Sequence, residues 1–273
     1  KHGLQHSLQY IAATTAIQAL AAGSEEIGLV GNQCIDVALE GADLVYIADT
    51  ASRFIFRLYG DSAIKSVADL KGKVIVATQP AASTDYASRM LLRKYGLIPD
   101  KDVKIIYAGS SPALLSMLKA GNAAAGLINP PATYQAQELG LKQIANVTEL
   151  NIPFIFVAVC TTRKVIQQKP DAVTRYLRAY TEAISIILRD KETALKVMAK
   201  NMKMDNRQWV EAVYDDVAPV LQRVPYMTKS EVQAVLEVVK NPKGTQVKAE
   251  DFFDNSLLQK LEYSGFINSL YAR

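Results

Sequence analysis

The sequence contains one pattern twice, and this internal repeat constrains the fold more than any other feature. In each copy a strand-like run is followed by a short helical segment and a second apolar run; the copies span residues 8–31 and 104–129. Gly23 and Gly121 end the two helical segments, where a left-handed backbone conformation is favoured. Two copies of a strand–helix–strand unit predict two similar lobes of the α/β class.

Hydroxyl residues precede both helical segments of the repeat, as is typical of helix N-caps. The candidates are Thr14 or Thr15 in the first copy and Ser110 or Ser111 in the second, where Pro112 suits the first helical turn. We therefore expect the two helices to begin at these residues.

Apolar runs extend the α/β pattern over most of the chain. Short runs bounded by turn residues predict strands at Leu44–Ala48, Val74–Thr78 and Phe154–Val159. Helical spacing of apolar residues predicts helices at Ala172–Leu188, Thr193–Lys200, Asn206–Leu221, Lys229–Val239 and Ser256–Ser264, and a further one opening at Ser83. This alternation indicates two lobes with mixed, mostly parallel sheets flanked by helices.

Composition and charge exclude several classes of function. A formal net charge of +4 is mild for 273 residues, and basic residues alternate with acidic ones, so no nucleic-acid partner is expected. The only histidines are His2 and His6, which leaves little material for a metal site or a catalytic triad. No P-loop, GxGxxG or GxSxG motif occurs. We expect no enzyme, no catalytic residues, no metal and no cofactor.

Cys34 and Cys160 are the only cysteines, and each lies in an apolar run. They are interpreted as small core residues, and we expect no disulfide between them. Two cysteines do not reveal a redox compartment. No apolar run reaches the roughly 20 residues that a membrane-spanning helix needs.

Polar side chains follow the predicted strands, at the edge where open parallel sheets bind ligands. The candidate ligand-binding residues are Asn32, Gln33, Thr50, Gln79, Ser83, Thr84, Ser110 and Asn129. Most are neutral hydrogen-bonding groups, and several begin helices, where backbone N–H groups and the helix dipole favour an anionic ligand group. Asp49 would repel an anion, so it either caps a helix or meets an amine of the ligand.

The candidates also have a purely structural interpretation. Ser83 and Ser110 suit helix caps, Asn129 before two prolines suits a turn, and Asn32 with Gln33 suits a helix start. The sequence alone leaves both interpretations open.

Seven segments follow one another in an order shared with a known family. They are Ala16–Gly23, Val67–Val76, Leu92–Leu97, Asp102–Ile106, Asn129–Pro131, Lys169–Val173 and Ser264–Ile267. None is specific alone, but in this order they resemble the substrate-binding proteins of ABC importers with the type II periplasmic-binding fold. The similarity points to the taurine, alkanesulfonate, nitrate and thiamine-precursor branch.

The resemblance implies a monomer that closes around a small polar, anionic solute in the cleft between two lobes and delivers it to the transmembrane subunits of an ABC permease. Lobe one would comprise residues 1–60 and 154–273 and lobe two residues 61–153, joined by two crossing segments. The location would be periplasmic, or extracellular and membrane-associated. We also expect the first strand and helix of the family fold, and a signal segment, to be absent from this chain.

Two alternatives share the fold implied by this resemblance. A pyrimidine-synthase-like enzyme of the thiamine-precursor branch draws on a histidine and a Cys-rich motif, and this chain has no cysteine cluster and no histidine after His6. The effector-sensing domain of a transcription regulator would need a DNA-binding domain in front of it. The helical part after Pro170 fits importer proteins better.

Overall fold

The computed structural model describes residues 2–5, 7–239 and 241–272. The strands are β1 (Gly28–Val30), β2 (Leu44–Arg53), β3 (Arg57–Gly60), β4 (Val74–Ala77), β5 (Lys104–Tyr107), β6 (Ala125–Ile128), β7 (Lys142–Asn146) and β8 (Pro153–Thr162). The α-helices are α1 (Ala13–Ala22), α2 (Gln33–Leu39), α3 (Ser83–Lys94), α4 (Ser111–Lys119), α5 (Ala132–Glu138), α6 (Arg163–Gln168), α7 (Pro170–Arg189), α8 (Lys191–Met202), α9 (Arg207–Val217), α10 (Lys229–Leu236), α11 (Ser256–Tyr263) and α12 (Phe266–Ser269). Short 3-10 helices occur at Val67–Leu70, Val147–Leu150, Ala218–Val220, Pro242–Thr245 and Ala249–Phe252.

The chain forms two compact units. The first unit comprises Lys1–Ser52, Pro153–Lys203 and Ala218–Arg273, and the second comprises Arg53–Ile152 and Met204–Val217. Each unit has its own sheet, so β2 and β4 belong to different sheets, as the repeat predicts.

The first unit is organised around a three-stranded sheet in the order β1-β8-β2. β1 runs antiparallel to β8, with Gly28 opposite Cys160. Helix α7 packs on this sheet because Val173 and Leu177, one turn apart, are fully buried beside Val45 and Val159. Complete burial of such side chains contributes about 1.5–3 kcal/mol each, and this packing fixes the helix against the strands.

The second unit contains a five-stranded sheet in the order β5-β4-β6-β3-β7. β4 runs parallel to both β5 and β6, whereas β3 runs antiparallel to both β6 and β7. Leu114 and Leu118 of α4 pack against Val76 and Ile128, as the helical spacing of the repeat predicts. Parallel strands place the carboxyl ends of β5, β4 and β6 at the same edge of this sheet.

Only the second copy of the repeat forms the complete unit, as β5, α4 and β6. Ser110 is the N-cap of α4 and its Oγ accepts a hydrogen bond from the Ala113 N–H at 3.4 Å, with Pro112 in the first turn. Gly23 and Gly121 have φ values of 76° and 72°, which confirms the predicted helix ends.

The first copy differs from the prediction at its beginning. Residues 7–12 form no strand, and Leu8 and Tyr10 are exposed, because no strand of the sheet pairs with them. Helix α1 begins at Ala13 after Ala12, so neither Thr14 nor Thr15 is its N-cap. The prediction of a strand and a threonine cap was therefore wrong here.

The contact-based units differ from the expected lobes in two places. The expected first lobe ran to residue 60, but β3 pairs within the second sheet, so the second unit begins at Arg53. Met204–Val217 belongs to the second unit as well, where Asp216 of α9 pairs with Arg57 of β3. The chain consequently passes between the units four times instead of twice.

Candidate functional site

The shared edge of β5, β4 and β6 brings together the loops that carry five of the predicted residues. Gln79 follows β4, and its Nε2 donates a hydrogen bond to the Gly109 carbonyl after β5 at 3.2 Å. The Gly109 N–H donates to the Thr78 carbonyl at 2.7 Å. Ser110 begins the helix after β5, and Asn129 follows β6. Hydrogen-bonding side chains from three consecutive strand ends therefore lie along one edge.

The start of α3 lies at this edge and carries the two hydroxyl residues singled out by the sequence. Ser83 is the first residue of the helix and is half-buried, after Ala82, which has no capping oxygen. The Thr84 hydroxyl accepts a hydrogen bond from the Thr78 N–H at 3.0 Å and lies 2.7 Å from Thr78 Oγ1. Thr84 thus ties the end of β4 to the helix, whereas Ser83 does not share that bond.

A buried carboxylate, missed by the sequence analysis, also occupies the first turn of α3. Asp85 accepts hydrogen bonds from the Ala81 N–H at 3.0 Å and from Arg89 Nε at 2.8 Å. Arg89 also reaches Asp100, at 2.6 Å. The negative charge at this helix start is therefore balanced by Arg89. The spacing of four residues between Asp85 and Arg89 is the signal in the sequence that could have revealed the pair.

Ser110 and Asn129 combine an accessible position with a local structural role. Ser110 is exposed and caps α4. Asn129 is half-buried, and its Nδ2 donates to the Pro130 carbonyl at 3.3 Å, as a turn-shaping residue does. Both structural interpretations hold, and both side chains also lie at the strand ends.

In the first unit, Asn32 occupies the N-cap position of α2 and is fully buried, and Gln33 is the first residue of that helix. Thr50 does not follow a strand end, because β2 continues to Arg53, past the expected end at Ala48. This expectation was wrong, since the polar residues Asp49 and Thr50 do not interrupt the strand.

Thr50 is held by a tyrosine from α7. Tyr180 donates its hydroxyl proton to the Asp49 carbonyl oxygen at 3.0 Å, and Thr50 Oγ1 lies 2.5 Å from the same phenol oxygen. Since that phenol proton is used, the Thr50 hydroxyl donates to the Tyr180 oxygen. This chain of hydrogen bonds fixes the middle of β2 against α7.

Asp49 is the most unusual polar group of the first unit. It is 1% exposed, and neither carboxylate oxygen has a hydrogen-bond partner in the described part of the chain. Burial raises the pKa of Asp49 to about 8, and the nearby charge of Glu231 acts in the same direction. The carboxyl group is therefore mostly protonated at neutral pH and can donate one hydrogen bond. The expected repulsion of an anion does not apply to this neutral form.

The second unit contains a further polar and aromatic cluster that the sequence analysis missed. The Tyr134 and Trp209 rings stack with centroids 6.0 Å apart. Beside them Arg57 pairs with Asp216 through both of its terminal nitrogens. The aspartate thus neutralises the guanidinium. These residues are far apart in the sequence, so no local pattern brings them together.

Two structural searches bear on what the chain could hold or cross. Across residues 2–5, 7–239 and 241–272, no group of three or more histidine, cysteine, aspartate or glutamate side chains is placed to hold a metal ion. Over the same residues, no helix combines the length and apolar character needed to cross a membrane.

The family model described as NMT1/THI5 like matches residues 2–194. The chain belongs to the NMT1/THI5-like family. A Brucella abortus protein provisionally named a binding protein is 27% identical over 211 residues, which is 75% of this chain and 64% of that protein. A Brachyspira hyodysenteriae protein provisionally named an ABC transporter periplasmic binding protein is 26% identical over 203 residues, covering 74% of this chain and 54% of the other. This NMT1/THI5-like chain thus spans less than two thirds of the length of each.

Solved structures show the fold of this NMT1/THI5-like chain. The alkanesulfonate-binding protein SsuA from Xanthomonas axonopodis pv. citri, bound to MOPS, superimposes with a TM-score of 0.69 at 21% sequence identity. The match covers 91% of this chain and 84% of SsuA. The predicted periplasmic-binding fold is confirmed. The prediction of a binding protein rather than an enzyme is confirmed in the same comparisons, since these relatives and neighbours are named as binding proteins.

Proposed function

We propose that this chain is the solute-binding component of an ABC importer, which binds a small polar, anionic solute and delivers it to the transmembrane subunits of a permease. The proposed location is the periplasm or the outer face of the cell membrane. Family membership and the names of the relatives support the transport role. The observation that carries the proposed chemistry is the shared edge of β5, β4 and β6, with Gln79, Ser83, Ser110 and Asn129 along it.

Neutral donors at this edge suit a solute with a negatively charged oxygen. Amide and hydroxyl groups donate hydrogen bonds to an anion without adding a charge, and a helix start provides a favourable dipole. The Asp85 charge in the same turn is offset by Arg89. A solute that binds one conformation of the protein more tightly than another shifts the population toward that conformation, which the permease would then recognise.

A thermal-shift screen tests the proposal at the level of ligand class. The panel contains small sulfonates, carboxylates, inorganic oxyanions and neutral pyrimidines. A solute present at 100 times its Kd raises the free energy of unfolding by about 2.7 kcal/mol. We expect stabilisation by one anionic class and none by the pyrimidines. Stabilisation by neutral pyrimidines alone would contradict the anionic solute and would direct attention to the enzyme alternative.

The substitution Ser83→Ala tests the edge itself. A hydrogen bond to a charged group is worth about 1.5–3 kcal/mol, so we expect the Kd for the solute found in the screen to rise about tenfold or more. Isothermal titration calorimetry measures this change. The matched control is Ser256→Ala, since Ser256 is likewise the first residue of a helix, α11. Equal affinities in wild type and Ser83→Ala would show that Ser83 has only a structural role.

A further inference from the structure

The two cysteines of the chain meet in the core of the first unit. Cys34 is the second residue of α2, and Cys160 lies in β8, 126 residues later. Their Sγ atoms are 2.8 Å apart, and both are free thiols. A disulfide bond has a sulfur–sulfur distance of about 2.05 Å, so less than about 1 Å separates this pair from bonding distance.

The local fold explains why the two sulfurs meet. β1 pairs with β8 so that Gly28 lies opposite Cys160. Only Gly31 and Asn32 separate the end of β1 from α2, so the first turn of that helix lies close to β8. Tyr46 of β2 holds this short connection by donating its hydroxyl proton to the Gly31 carbonyl at 2.8 Å. Strand pairing and this connection therefore both position Cys34 beside Cys160.

Burial decides when the two thiols could react. Cys34 is 1% exposed and Cys160 is 0% exposed, so a dissolved oxidant does not reach either sulfur in the folded protein. Burial also raises the pKa of the Cys34 thiol, which leaves little of the reactive thiolate. A bond between them has to form while the chain is still folding, and the core then protects it from reductants.

We propose that Cys34 and Cys160 form an intramolecular disulfide when the chain folds in an oxidising environment. The thiolate of one cysteine attacks a small disulfide compound and releases one of its halves as a thiol, giving a mixed disulfide. The second cysteine thiolate then displaces the other half. Both cysteine S–H bonds are lost, one protein S–S bond forms, and the compound is reduced to two thiols. The oxidising compartment belongs to the proposed function, but the linkage itself depends on no ligand.

The sequence analysis expected no disulfide, because each cysteine lies in an apolar run. That pattern is compatible with either state, since a disulfide is also buried among apolar residues. The pairing of β1 with β8, which the sequence analysis took for a parallel arrangement, is the observation that brings the two cysteines together.

Oxidative refolding tests the linkage. Reduced, denatured protein is refolded with oxidised and reduced glutathione, unfolded again without reductant, and titrated for free thiols. We expect no reactive thiol, an intact mass lower by two hydrogens, and a single monomer band on a non-reducing gel. Two reactive thiols per chain, glutathione adducts on both cysteines, or a disulfide-linked dimer would each overturn the proposal.

Thermal unfolding of the same samples provides a second readout. The bond would close a loop that contains all of residues 53–152, and closing a long loop stabilises the folded state. The oxidised protein should therefore melt at a higher temperature than protein refolded in excess dithiothreitol. Cys34→Ala and Cys160→Ala are the matched controls, and each should melt at the same temperature under both conditions. An equal melting temperature for oxidised and reduced wild type, or a difference that persists in these variants, would contradict the proposal.

Discussion

Asp49 determines a specific pH dependence at the scale of single residues. Its carboxyl group has no hydrogen-bond partner, Glu231 lies near it, and Tyr180 bonds to its backbone carbonyl. The pKa rises from 3.8 in the unfolded reference to about 8 in the folded protein. Between these values the folded state keeps a proton that the unfolded state has released. The free energy of unfolding should therefore decrease as the pH rises from about 4 to about 8.

The substitution Asp49→Asn removes this titration while keeping the shape of the side chain. We expect Asp49→Asn to be more stable than wild type at pH 8 and close to wild type at pH 4, because an amide cannot lose its proton there. Urea unfolding at both pH values measures the difference. Asp205→Asn, a change at an exposed position, is the control and should follow wild type. A pH profile of Asp49→Asn that is identical to wild type would show that Asp49 is not the titrating group.

At the scale of elements, close packing in the second sheet depends on a glycine at the end of β3. A Cβ atom at Gly60 would lie 2.4 Å from the Ala124 carbonyl oxygen and 2.7 Å from Ile144 Cδ1. Gly60→Ala should therefore destabilise the protein by about 1–3 kcal/mol in denaturant unfolding, because backbone cannot move aside cheaply.

A second substitution distinguishes the two contacts of Gly60. Ile144→Val removes the Cδ1 atom but leaves the Ala124 carbonyl in place. We expect the double variant Gly60→Ala with Ile144→Val to remain as unstable as the two single changes together predict. Full recovery of stability in the double variant would show that only the flexible side chain blocks the position.

The elements also show which parts of the fold a single sequence reveals. Helix ends at glycines and the apolar face of α7 were predicted because neighbouring residues alone determine them. The missing strand at 8–11 and the extension of β2 to Arg53 were not, since strand formation depends on a partner strand that is distant in the chain. The same reason hides the contact between Cys34 and Cys160 and the burial of Asp49. At the candidate site, Gln79, Ser110 and Asn129 were found because they follow strands directly.

At the scale of the whole molecule, the order of the chain differs from the order of the units. The first unit is assembled from three separate stretches, whereas the sheet of the second unit is made from Arg57–Asn146 alone. β1 has no antiparallel partner until β8 is present. The first fifty residues thus depend on a strand that comes about a hundred residues later.

This dependence has a consequence for synthesis on the ribosome, where domains fold as the chain emerges from its N-terminus. The strands of the second unit are all present once Asn146 has left the exit tunnel, whereas the earlier-made β1 and α2 still wait for Pro153–Thr162. Nascent chains stalled after residue 152 should resist brief protease treatment within 57–146 while being cut before residue 53. The part of the protein that is translated first is then among the last to be finished, and during that delay its apolar residues need protection by a chaperone.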